Sequence, residues 1–261
     1  MKLFAKFSLV TLVLMAFLII GATGALAIDK KDLLVYYPCD DGNGTTLKDE
    51  SGNGWDAEIN GNTYSWEKGK HSGCLELKKT CATVENEPII KAVNDTGEIT
   101  LCCWCYIKSL TNYNGLISMH GDPGGEATNC DYRLMINGGK NPFWNMGHHA
   151  DKSLATFTFD TDTWYFFAIT GDGKTAKIYI DGKSVGEVAE NFALPDFDTV
   201  TLLIGAGEGP GTWVAEDMML DDIMIWSKAL EENDFTVIMK ENFLAVESTG
   251  KLATTWAGLK Q

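Results

Sequence analysis

The chain alternates short apolar runs, five to nine residues long, with clusters of Gly, Asn and Asp. Helical periodicity is scarce. Short runs bounded by turn residues read as strands. The pattern predicts strands near Leu33–Tyr37, Ala57–Ile59, Cys74–Leu77, Ala82–Val84, Ile99–Lys108, Asn114–Met119, Tyr132–Ile136, Ala155–Phe159, Trp164–Thr170, Ala176–Ile180, Val200–Ile204 and Met218–Trp226. One helix is expected at about Glu232 to Lys240, with Phe235, Ile238 and Met239 on its inner side. Many strands with turns between them imply an all-β sandwich.

Two stretches carry finer detail. In "EITLCCWCYIK", Ile99, Leu101, Cys103, Cys105 and Ile107 share one face, which reads as core. Thr100, Cys102, Trp104, Tyr106 and Lys108 share the other, an unusual place for two aromatics. In "DTWYFFAITGDGKTAKIYIDGKSVG" two runs flank Gly171-Asp172-Gly173, and a second turn follows at Asp181-Gly182. That order predicts a β-meander.

The first 27 residues read differently. Lys2 and Lys6 precede an apolar run from Phe7 to Ile20, and Ala25-Leu26-Ala27 offers small residues for a peptidase. The run is shorter than the roughly 20 residues a spanning helix needs. It is expected to be a secretory signal peptide, cleaved before Ile28. Residues 28–243 then form one sandwich domain, and 244–261 a tail. The expected location is secreted or extracytoplasmic, with no membrane span. Cleavage removes two lysines and takes the net charge from −15 to −17. Arg133 is the only arginine, and no basic cluster suits phosphates, so nucleic acid is excluded as a partner. An acidic exported protein attracts cations.

Seven cysteines remain, at 39, 74, 81, 102, 103, 105 and 130. Disulfides are expected in an oxidising compartment, with one cysteine left over. Cys102-Cys103-x-Cys105 does not have the spacing of a zinc site.

The order of motifs is informative. "LVYYPCDDGNGTTLKDESGNGWDAEING" precedes "GKHSGCLELK", then "ITLCCWCYIK", "TWYFFAITGDGKTAKIYIDGK", "TLLIGAG" and "LDDIMIWSKALEENDF". From about Leu33 to Met239 this series resembles the LamG-like jellyroll domains of the concanavalin A-like lectin/glucanase superfamily. The resemblance implies two antiparallel sheets stacked as a jellyroll, with one short C-terminal helix. It also implies a structural calcium ion, held by Asp49, Ser51, Asn53 and Asp56 in the early loop and by Asp221 in the last long strand. Calcium takes six to eight oxygens, and carboxylates mixed with carbonyls supply them. By strand alternation Asp221 shares a face with Ile223 and Ile225, so it needs a partner there. Asp-x-Ser-Gly-Asn-Gly is also good turn sequence, and Asp221 could accept hydrogen bonds with no metal.

Catalysis finds little support. A retaining glycosidase needs two carboxyls about 5–5.5 Å apart. In "EDMMLDD" the acids Glu216, Asp217, Asp221 and Asp222 are interrupted by Met218, Met219 and Leu220. "GDGKT" lacks the first glycine of a phosphate loop. His148 and His149 would point to opposite faces of a strand. The chain is therefore expected to be no enzyme but a binding or adhesion module for glycan or extracellular protein. A purely structural domain or a divergent hydrolase are the alternatives. Sugars stack on aromatic faces. The candidate ligand-binding residues are Trp104, Tyr106, Trp144 and Tyr132, with Tyr113 and Phe143 in or beside "NGGKNPFWNMGHH".

Overall fold

The computed structural model describes residues 28–121, 130–147, 151–189 and 199–240, with the backbone alone at 86–87 and 130–131. Two antiparallel sheets of eight strands stack as a sandwich. The first runs β14 (Lys183–Ala189), β13 (Thr175–Ile180), β12 (Trp164–Gly171), β7 (Ile99–Ser109), β16 (Asp217–Trp226), β5 (Gly73–Leu77) and β4 (Tyr64–Lys68). Strand β1 (Leu33–Tyr37) also pairs with β16. The second runs β11 (Lys152–Ser153), β10 (Pro142–Met146), β9 (Cys130–Asn137), β8 (Tyr113–Gly121), β15 (Val200–Ile204), β6 (Cys81–Glu87), β3 (Ala57–Asn60) and β2 (Thr46–Leu47).

Alternation fills the space between the sheets. Ile99, Leu101, Cys103, Cys105 and Ile107 of β7 join Phe167 and Ile169 of β12 against Leu134, Ile136, Trp144 and Leu202 of the second sheet. The outer face of the first sheet is covered as well. There Trp104, Phe166, Tyr179, Met224 and Trp226 pack beneath α2 (Glu232–Ile238) and the segment carrying Ile28 and Leu33. A capping box between Glu231 and Asp234 starts α2, and Phe235 and Ile238 are its buried side. The β12–β13–β14 meander forms as the turns require, with positive φ at Gly173, Asp181 and Gly182.

Several expectations need correction. Ala155–Phe159 is not a strand. It is a turn followed by irregular chain, with Phe159 buried in the core and its N–H on the Lys140 carbonyl at 2.8 Å. Strands β2, β4, β10 and β11 were not expected, and β14 was expected only as the last arm of the meander. Helix α1 (Ile89–Thr96) was not expected either, though its signals are in the chain. Pro88 precedes it, Ile89, Ile90 and Val93 form its buried side, and Gly97 closes it at φ +69°. Cys39, Cys74, Cys81, Cys102, Cys103 and Cys105 are buried free thiols, so the expected disulfides do not form among these six. Strand alternation sends Cys102 to one side of its sheet and Cys103 and Cys105 to the other. Burial raises all six thiol pKa values, that of Cys74 to about 12, which leaves them unreactive.

Trp144 and Tyr132 belong to the core rather than to a binding surface. Both are essentially inaccessible. Trp144→Ala is expected to lower the unfolding free energy by about 3–5 kcal/mol, read as a fall in the urea midpoint. A loss below about 1 kcal/mol would contradict this placement.

Candidate functional site

The loop Asp49–Asp56 folds around one carboxylate. Asp49 Oδ1 accepts the backbone N–H of Tyr36 and of Ser51, each at 3.0 Å. Its Oδ2 accepts the N–H of Trp55 at 3.0 Å and lies 2.8 Å from the Ser51 hydroxyl. Asp56 accepts the Asp49 N–H at 2.9 Å and the Lys48 ammonium at 2.6 Å. Asn53 turns its amide nitrogen inward, donating to the carbonyl of Leu34 at 2.8 Å. Donors thus converge on an anion, the reverse of a calcium cage, in which oxygens converge on a cation. Among the described residues no three His, Cys, Asp or Glu side chains gather around a common metal position. As arranged, these residues do not fit the calcium ion that the resemblance implied.

Asp221 lies elsewhere, and not on the face expected. It stands opposite Trp104 on β7, on the outer side of the first sheet. Asp222 adopts φ +46°, and the β16–β7 register slips between Asp221 and Met224. This bulge adds one residue and resets the alternation, so Ile223 and Ile225 face the core while Asp221 does not. Both carboxylates then face the turn between β4 and β5. Asp221 Oδ2 accepts the amides of Lys70 at 2.8 Å and His71 at 3.3 Å. Asp222 accepts the Tyr36 hydroxyl at 2.7 Å and pairs with His71 Nδ1 at 2.8 Å. Gly69 is required here, because a Cβ would stand 1.9 Å from the Gly73 carbonyl oxygen, and 2.5 Å from Asp221 Oδ2. Asp221 is 1 % exposed. Burial, and then the charge of Asp222, push its pKa up to about 7.

Of the four aromatics expected to bind ligand, only Tyr106 is not buried. It is half-buried and tilts against Trp164 at 5.5 Å between ring centroids. Trp104 is covered by Lys70, whose Nζ is 4.3 Å from the ring, and by Phe166 and His71. Trp144 and Tyr132 are core. His148 and His149 lie outside the described residues.

A different cluster forms on the outer face of the second sheet. Tyr113, at the start of β8, is 38 % exposed, and no other large hydrophobic among the described residues is so open. Its ring meets Phe143 at 5.1 Å and Trp213 at 5.0 Å. The loop after β15 delivers Trp213. It lies flat on the sheet because Gly115 N–H donates to the Trp213 carbonyl at 2.8 Å and the Ser118 hydroxyl to that of Gly207 at 2.7 Å. A Cβ on Gly115 would stand 2.1 Å from the Ala206 carbonyl carbon, so that approach needs glycine. Beneath the rings sits Arg133, 3 % exposed, its guanidinium 4.7 Å from the Trp213 centroid. It is 3.5 Å from both Asp151 and Glu208, whose side chains remain 33 % and 26 % exposed. Asn145, opposite Arg133 in the ladder, donates to Asp151 at 3.2 Å. Sequence reasoning named Tyr113 and Phe143 but missed Trp213 and the partners of Arg133. That Arg133 is the only arginine in the sequence was the available signal.

A family model described as "Concanavalin A-like lectin/glucanases superfamily", Laminin_G_3, matches residues 81–235, more than half of the chain. The chain belongs to this family. The LamG-like resemblance read from the motifs therefore holds. No curated protein matches. Among solved structures, this Laminin_G_3 chain is similar to domain 4 of AbnA, a GH43 extracellular arabinanase from Geobacillus stearothermophilus, in complex with arabinotriose. Identity is 15 %, the TM-score is 0.61, and 80 % of this chain aligns with 98 % of that one. It is also similar to the binding domain of botulinum neurotoxin DC in complex with rat synaptotagmin II, at 16 % identity and TM-score 0.58, covering 80 % of this chain and 51 % of that one. A Trypanosoma rangeli sialidase matches at 13 % identity and TM-score 0.58, over 78 % of this chain and 32 % of that one. This chain thus spans about half of the toxin domain and a third of the sialidase. These likenesses concern the fold.

The buried acid pair makes a pH prediction. A carboxyl whose pKa is raised on folding contributes stability that is fully present below its unfolded value, near 4, and lost as pH rises through about 7. Asp221→Asn keeps an oxygen for the two amides and removes the charge. Its stability relative to wild type is expected to rise by up to about 4 kcal/mol between pH 4 and pH 8, measured by urea unfolding at each pH. Parallel profiles would show that Asp221 does not titrate in this range. Repeating the series with calcium and with excess chelator is expected to give coincident curves, and a calcium-dependent midpoint lost in Asp49→Asn would restore the loop as a metal site.

Proposed function

We propose that this Laminin_G_3 domain is a secreted, non-catalytic carbohydrate-binding module, and that it binds through the Tyr113–Trp213 face of the second sheet. One observation carries the reading: an open aromatic ring set beside carboxylates that a buried arginine holds in place. Aromatic faces take the apolar CH side of a sugar, and fixed acceptors take its hydroxyls. The neighbour solved with arabinotriose supports a glycan, and 98 % of that domain aligns with this chain. The non-catalytic reading is supported by β16. Asp221 is engaged by two amides and Asp222 by Tyr36 and His71, both away from solvent. They are poorly placed to act as the acid and nucleophile of a glycosidase.

No helix among the described residues is long and apolar enough to cross a membrane. Tyr113→Ala is expected to weaken binding of a neutral oligosaccharide such as arabinotriose by about tenfold, or 1.4 kcal/mol, in isothermal titration calorimetry. Tyr106→Ala, on the other sheet, is expected to leave that affinity unchanged. The opposite ranking of the two variants would move the site to the first sheet.

A further inference from the structure

Resting on the reading above, we propose that the Tyr113–Trp213 face selects uncharged glycans and rejects anionic ones such as sialylated, uronic or sulfated sugars. An arginine on a glycan-binding surface is the natural reader of a carboxylate or sulfate, because its planar fork matches two oxygens. Here the chain's single arginine is withheld from that role. Arg133 is buried beneath the rings, and its two terminal nitrogens already face Asp151 and Glu208. The face of Trp213 is occupied from below by the same guanidinium. A ligand arriving from solvent therefore meets the Tyr113 ring and two partly exposed carboxylates, not the cation.

The charge count points the same way. Among the described residues, Arg133 contributes one positive charge and Asp151 and Glu208 two negative, so these three side chains sum to one negative charge, on a chain of net charge −15. Ionised carboxylates only accept hydrogen bonds. They suit hydroxyl donors and repel a second anion, which the already engaged guanidinium does not offset. Asn145 fixes Asp151 through its amide nitrogen, and Arg133 holds both acids, so the acceptors are set before the ligand arrives.

The test is a titration of the purified chain with arabinotriose and cellotriose as neutral probes, and with sialyllactose and trigalacturonate as anionic ones. At least one neutral probe is expected to bind in wild type and to lose about tenfold in Tyr113→Ala. Both anionic probes are expected to bind at least tenfold more weakly than that neutral probe. Glu208→Gln, alone and combined with Asp151→Asn, is expected to raise anionic affinity while thermal melting shows the fold intact. Anionic probes that bind as tightly as neutral ones, with loss in Tyr113→Ala, would overturn the selectivity and leave the binding face standing. Unchanged anionic affinity in the charge variants would also overturn it. If none of the probes binds wild type, the binding face and the selectivity fall together.

Discussion

A single inserted residue in β16 organises the first sheet. Asp222, in the left-handed region, lets Met219 and Asp221 face outward before the bulge and Met224 and Trp226 after it, without exposing the core positions between. The bulge also brings two carboxylates under the β4–β5 turn, where Lys70, His71 and Tyr36 supply their hydrogen bonds. Strand β1 leaves β16 at this point and β5 begins beside it. The joint between the early and late parts of the chain is therefore made of buried acids and backbone amides. Removing a donor there would leave an uncompensated charge, which costs far more than one lost hydrogen bond gains.

Much of the fold is legible in the chain because alternation and turn chemistry agree. Strand β7 shows its two faces in the order of its letters, and the meander is marked by Gly173 and by Asp181-Gly182. What alternation cannot show is where it breaks. The Asp-Asp pair looks regular, so the face of Asp221 is misread by one residue. Nor does alternation reveal that the outer face of the first sheet is itself covered. That is why Trp104 looks like a binding residue while it packs beneath Lys70 and against Phe166. The loop "DESGNGW" carries oxygens enough for a metal, but only coordinates reveal that backbone N–H groups reach them first.

The aromatic face illustrates a different limit. Tyr113 stands at a strand start, Trp213 in a glycine-rich loop and Arg133 mid-strand, and nothing in their spacing links them. They meet because a strand order that skips along the sequence places β15 beside β8 and folds its following loop back over the sheet. Gly115 permits that contact by what it lacks. Sites assembled this way are invisible to motif reading, whereas the strands that carry them are not.

The covering of the first sheet also gives the molecule a front and a back. Ile28 near one end of the described chain and Phe235 and Ile238 near the other pack into one cluster on its outer surface. Tyr113 and Trp213 are on the far side of the sandwich, two sheets away. Both boundaries of the described chain therefore lie on the rear face. The aromatic surface is built by neither of the elements that carry those boundaries.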